Sequence, residues 1–179
     1  MIALGWFVGH GATAFDTWFV HTVHKWVHYE WHLLPLSDPV VLGVLMAVCL
    51  AYVVRRKQYR LASILLISPV VAYYAAEAVK PIFNRRINGV LSYPSGHATL
   101  VVTIAGLILL VVGFRRTTAA FAAVLCLLAM TALGCTVHYF TDTVGGALLG
   151  SAVASVAALL ARGQNRSAGP NAIDSNTNA

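Results

Sequence analysis

Tyr93-Pro94-Ser95-Gly96-His97 sets a hydroxyl and an imidazole directly ahead of a long apolar run. Pro94 and Gly96 mark a turn, and the run after His97 reads as a helix, so Ser95, Gly96 and His97 fall at its N-terminus. Free backbone N–H groups and the positive end of the helix dipole converge there and favour an anion such as phosphate. Lys80 closes the preceding apolar segment, and Arg85 and Arg86 follow it. Further on, His138 and Asp142 stand one helical turn apart and can share a face. Two imidazoles, a carboxylate, a hydroxyl and several cations at the ends of apolar segments are groups suited to phosphoryl transfer.

In this order, these residues resemble the signatures of the type 2 phosphatidic acid phosphatase (PAP2) superfamily, membrane-embedded lipid phosphatases. Pro94-Ser95-Gly96-His97 matches the second signature without a gap. His138-Tyr139-Phe140-Thr141-Asp142, with Gly145 and Gly146 after it, matches the end of the third, and Lys80 through Asn84-Arg85 resembles the first. Together the matches cover roughly residues 60–160. Two positions depart from the pattern. Where the family places a second cation and a Pro after its Lys, this chain has Ile87 and Asn88; where the third signature begins Ser-Arg, it has Thr131 and Ala132.

The resemblance implies a role for each site residue. His138 is the nucleophile that becomes a phosphohistidine, and Asp142 accepts its Nδ1–H to fix the tautomer. His97 protonates the leaving alkoxide and then helps activate water. Lys80, Arg85 and Arg86, with Ser95 and the N–H groups at Gly96 and His97, bind the phosphate oxygens. No metal and no cofactor is implied, because cations of the protein neutralise the phosphate. Glu77, one turn before Lys80, either pairs with it or helps select a headgroup.

Composition supports a membrane setting. Of 179 residues, 59% are hydrophobic and 10% charged, whereas soluble domains carry roughly a quarter charged residues. The net charge of +6 is not gathered into a basic patch with interleaved aromatics, so nucleic acid is set aside as a partner. Cys49, Cys126 and Cys135 lie inside apolar runs without paired spacing and read as packing residues. Met1 to Ala14 has no basic region ahead of its apolar run, so no cleaved leader is expected.

The elements that must position the site form an all-α, polytopic transmembrane helix bundle. Residues 1–161 make a single membrane domain, with residues 1–34 as an interfacial or partial N-terminal helix and 39–161 as the helical core. Over residues 14–34, Thr17, His21, His24, Lys25, His28 and His32 share one face, and Trp6, Trp18, Trp26 and Trp31 are spread through the region, as in a segment at headgroup level. The repeat His24, His28, His32 admits a metal reading, but no fixed partners accompany it, and an interfacial polar face is preferred. Five strong spans follow the turn at Pro35–Pro39, at roughly 39–54, 61–79, 97–113, 118–138 and 142–161. Gly146-x-x-x-Gly150 reads as a close-packing signature, and residues 162–179 as a disordered polar tail.

Arg55, Arg56, Lys57, Arg60, Arg115, Arg116, Arg162 and Arg166 fall on one side if the spans alternate. The positive-inside rule makes that side cytoplasmic and the proposed site extracytoplasmic, as in a bacterial plasma-membrane protein. The leading expectation is hydrolysis of a lipid phosphate monoester or pyrophosphate, polyprenyl-linked or phospholipid. A lipid phosphotransferase and a non-catalytic lipid-phosphate binding or transport protein are the alternatives.

Overall fold

The computed structural model describes residues 1–26 and 30–167. Among the described residues, seven α-helices run in the order α1 (Ile2–Val8), α2 (Ala14–Trp26), α3 (Pro39–Arg55), α4 (Tyr59–Phe83), α5 (Gly96–Val112), α6 (Arg116–Thr136) and α7 (Phe140–Ser167), with a 3-10 stretch at Glu30–Ser37. The helix expected over 14–34 ends earlier, at Trp26, and His28 lies outside the described residues. At the other end the chain stays helical to Ser167, past the start of the expected tail, and residues 168–179 lie outside the described residues.

Among the described residues, three helices are long and apolar enough to cross a membrane: Tyr59–Phe83, Arg116–Thr136 and Phe140–Gly163. α3 and α5 are apolar but have 17 residues each, about 26 Å of helix against a hydrocarbon core of about 30 Å. Large apolar side chains such as Leu66, Val70, Phe121 and Leu159 point outward from the spanning helices, as a lipid-facing surface requires.

Local chemistry fixes the ends that meet at the site. Asp38 caps α3, accepting from the N–H of Val40 at 2.7 Å and of Val41 at 3.3 Å, with Pro39 in the first turn where its missing N–H costs nothing. Asn84 closes α4 in the left-handed conformation, φ 47°, and its N–H returns to the carbonyl of Lys80. The chain then makes an element the all-α expectation lacked, a two-stranded hairpin pairing Arg86–Ile87 (β1) with Val90–Leu91 (β2). Asn88-Gly89 at its tip has φ values of 49° and 83°, the pair of positive angles that a tight hairpin turn demands.

α5 and α7 lie against each other along their length because glycines clear the way. A Cβ at Gly150 would stand 2.6 Å from the Thr99 carbonyl oxygen, and one at Gly146 would come closer still to the Ser95 carbonyl oxygen. The glycine ladder therefore brings the first turn of α7 onto the first turn of α5. Gly150→Val must push two backbones apart; overpacking of this kind costs about 1–3 kcal/mol. The expected result is a lower thermal midpoint in detergent than the wild type, read by a thermal-shift assay.

Candidate active site

The C-terminal ends of α4 and α6 and the N-terminal ends of α5 and α7 meet at one end of the bundle. Ser95 is the N-cap of α5: its hydroxyl accepts from the Ala98 N–H at 3.4 Å, and its own N–H donates to the Asp142 carbonyl at 3.0 Å. That last bond fastens the Pro-Ser-Gly-His turn to the first turn of α7. Ser95 and Gly96 are buried, whereas the His97 side chain is exposed. His138 follows the end of α6, with its N–H donating to the Leu133 carbonyl at 2.9 Å. The two imidazoles are neighbours, with ring centroids 6.1 Å apart and an interplanar angle of 56°.

Lys80 Nζ is 2.5 Å from Glu77 Oε1, so the pairing reading of Glu77 is realised in this state. The same carboxylate oxygen lies 3.6 Å from where a Cβ at Gly96 would stand. The ion pair thus reaches the N-terminus of α5. Lys80 is close enough to act electrostatically on His138. Burial pushes the His138 imidazole down to about 4, with positive charge at His97 and Lys80 acting in the same direction. His138 is therefore neutral, with a nitrogen lone pair available, at ordinary pH.

The arginines sit elsewhere. Arg86 is exposed and held within its own hairpin, its Nε donating to Asn84 Oδ1 at 3.0 Å and its Nη1 to the Gly89 carbonyl at 3.1 Å. Arg85 is fully buried, with its guanidinium stacked 4.6 Å from the centre of the Tyr139 ring. Its Nη1 donates to Thr141 Oγ1 at 2.8 Å and lies 3.0 Å from Asp142 Oδ1; its Nη2 donates to Asp16 Oδ2 at 2.8 Å. The contact of Nη1 with Asp142 is an ion pair without hydrogen-bond geometry. Asp142 Oδ1 and His138 Nδ1 are both buried and both lack a hydrogen-bond partner. The His138–Asp142 hydrogen bond implied by the resemblance is not made in this state.

Asp16 is the residue that sequence reasoning missed. It is the sole acidic residue among the first 29, and its carboxylate lies 1% exposed at the start of α7. Thr13 caps α2 and Asp16 closes the box, with the Asp16 N–H donating to Thr13 Oγ1 at 3.1 Å and the Thr13 N–H donating to Asp16 Oδ2 at 2.9 Å. Burial raises the Asp16 carboxyl, but hydrogen bonds from the N–H and hydroxyl groups of Thr141 and Thr13 outweigh it and hold the group below the usual carboxylate range. The signal available was a lone carboxylate in an apolar region, which asks for a partner. Locally the capping box engages only part of this carboxylate, and the rest is taken up by partners distant in sequence.

Ala132, where the third signature has its cation, is fully buried in α6, and Ile87 lies in β1. Among the described residues, no group of three or more His, Cys, Asp or Glu side chains is placed to hold a metal ion.

A family model described as PAP2 superfamily matches residues 76–166, a stretch that contains Lys80, the Pro-Ser-Gly-His turn, His138 and Asp142 but not Asp16. No curated protein and no solved structure matches the chain.

Proposed function

The chain belongs to the PAP2 superfamily, and from that premise we propose that it is an integral-membrane lipid phosphatase working through a phosphohistidine on His138. The observation that carries the reading is the pair of neighbouring imidazoles, 6.1 Å apart, beside the capped N-terminus of α5 and within electrostatic reach of Lys80. Attack requires the nucleophilic nitrogen about 3–3.5 Å from phosphorus, with the acid within about 3 Å of the leaving oxygen on the opposite side. Two imidazoles at this separation can flank one phosphoryl group.

In the first step the lone pair of His138 Nε2 forms the N–P bond as the P–O bond to the lipid breaks. His97 gives its proton to the departing oxygen. In the second step His97 takes a proton from water as the water oxygen attacks phosphorus, releasing inorganic phosphate and restoring His138. Asp142 Oδ1 is the acceptor that His138 Nδ1 lacks, and closing that bond leaves Nε2 as the attacking atom. Lys80, released from Glu77 by the incoming phosphate, joins the N–H groups of Gly96 and His97 in neutralising the phosphate oxygens.

The substrate is a phosphate monoester or pyrophosphate on a membrane lipid. The site lies at the ends of α4, α5, α6 and α7 opposite to Arg60, Arg115, Arg116 and Arg162, and clustered cations favour the cytoplasm. The extracytoplasmic face of a bacterial plasma membrane is the corresponding location for the site.

The test is phosphate release by purified protein in detergent, with chelator present, against a panel of polyprenyl phosphates, polyprenyl pyrophosphates and phospholipid phosphates. Release that survives chelation supports the reading. Failure on every lipid sinks it and favours a binding protein, with the apolar Ala132 and Ile87 as the reason. The pH profile makes a further prediction. His138 must be unprotonated to attack, so its acid limb is lost as pH falls toward about 4, well below the 6.5 of a free imidazole. The same depressed value means that the unfolded chain binds the extra proton first, so stability falls as pH drops from 6.5 toward 4. A kcat/KM profile whose acid limb is centred near 6.5 would contradict this.

A further inference from the structure

We propose that Asp16 is a positioning residue of this active site, through which the seated N-terminal helix α2 holds Arg85 and the start of α7 in catalytic register. The inference rests on the phosphatase reading above and adds a component that lies outside the family match.

Asp16 reaches two things at once. Its Oδ1 accepts from the backbone N–H of Thr141 at 2.9 Å, and its Oδ2 from Thr141 Oγ1 at 3.0 Å and Arg85 Nη2 at 2.8 Å. The first of these bonds satisfies an N–H in the opening turn of α7, a turn that begins at Phe140 and carries Asp142. A side chain 125 positions away in sequence therefore serves α7 as a cap. The other bonds fix the guanidinium that sits 3.0 Å from Asp142.

Charge balance alone does not explain this arrangement. Arg85 and Asp142 would neutralise each other as a pair; adding Asp16 gives a buried group of two carboxylates and one guanidinium, all with side chains fully excluded from solvent. Burying a further carboxylate is costly unless it is hydrogen-bonded, and Asp16 meets that cost with bonds that determine geometry. Arg85 is divided between two carboxylates, and Asp142 Oδ1 stays in an ion pair without a directed hydrogen bond. Phe19 adds an apolar clamp to the same junction, its ring stacked on that of Phe140 with centroids 3.9 Å apart. Seating α2 thus fixes the turn between the nucleophile and its orienting carboxylate.

The experiment compares full-length wild type, Asp16→Asn, Asp16→Glu and Thr141→Val on one lipid phosphate that the wild type hydrolyses, with inorganic phosphate as competitive inhibitor. Asp16→Asn should lower kcat about 10- to 100-fold with KM and the inhibition constant within about twofold of wild type, because neither touches phosphate through Asp16. Asp16→Glu, which keeps the charge, should recover part of that loss. Thr141→Val keeps shape and backbone N–H but removes one partner of the carboxylate; it should lower kcat several-fold at constant KM, and it serves if Asp16→Asn does not fold. Wild-type kcat in Asp16→Asn or in Thr141→Val overturns the proposal, as does a loss that falls on KM. A wild type that releases no phosphate from any lipid is a different failure, since it removes the phosphatase reading itself.

Discussion

His138→Ala is expected to abolish phosphate release, a loss on the order of 10³-fold or more, because the proposed mechanism routes every turnover through a phosphohistidine at that position. His97→Ala is also severely slowed on lipid substrates, but for a different reason that a change of substrate exposes. A lipid alkoxide is a poor leaving group and needs the proton that His97 supplies. An aryl phosphate leaves without one, so in the His97 variant the first step recovers on an aryl ester, visible as a burst of phenol and accumulation of protein-bound phosphate. In the His138 variant nothing recovers. The two imidazoles are 6.1 Å apart and alike in type, so the proposed roles, with His138 as nucleophile and its imidazole pushed down to about 4, need this comparison of variants to separate them. Recovery of aryl ester cleavage in His138→Ala and not in His97→Ala would reverse the assignment.

Much of this site was legible in the sequence because its parts are local. Pro94 and Gly96 ahead of an apolar run announce the capped N-terminus of α5; the spacing of His138 and Asp142 reads as one helical turn, but His138 stands in the bend just before the opening turn of α7, which carries Asp142. Gly146 and Gly150 were readable as a packing ladder, and they bring that turn against Ser95. The hairpin tip at Asn88-Gly89 was equally local, but it stands between two long apolar helices and strands of two residues leave almost no periodic pattern. What no spacing could reveal is the destination of Arg85. It stands next to Arg86 in sequence and after Asn84, and both arginines read as free cations for phosphate. The turn at Asn84 sends them in opposite directions, Arg86 outward along the hairpin and Arg85 into the bundle. That choice depends on Asp16, 69 residues earlier, and such a pairing is a property of the packed helices.

Arg85 provides the second large effect. Arg85→Met leaves two buried carboxylates, Asp16 and Asp142, without a cation between them, and breaking a buried pair in this way costs about 3–5 kcal/mol. The expected outcome is a midpoint in detergent lower by roughly 10 °C, together with a fall in kcat as Asp142 loses its place. A phosphate ligand behaves differently: its loss raises KM and weakens inhibition by inorganic phosphate while the midpoint moves little. Arg85→Lys separates charge from geometry, because an ammonium cannot fork between Thr141, Asp16 and Asp142 as the guanidinium does. It should keep part of the stability and little of the kcat. A thermodynamic cycle completes the argument. If Arg85 chiefly compensates Asp16, then Asp16→Asn with Arg85→Met should be less destabilised than the sum of the single changes, since the double variant strands one carboxylate where Arg85→Met strands two. Simple additivity, with KM carrying the whole effect of Arg85→Met, would return Arg85 to the phosphate.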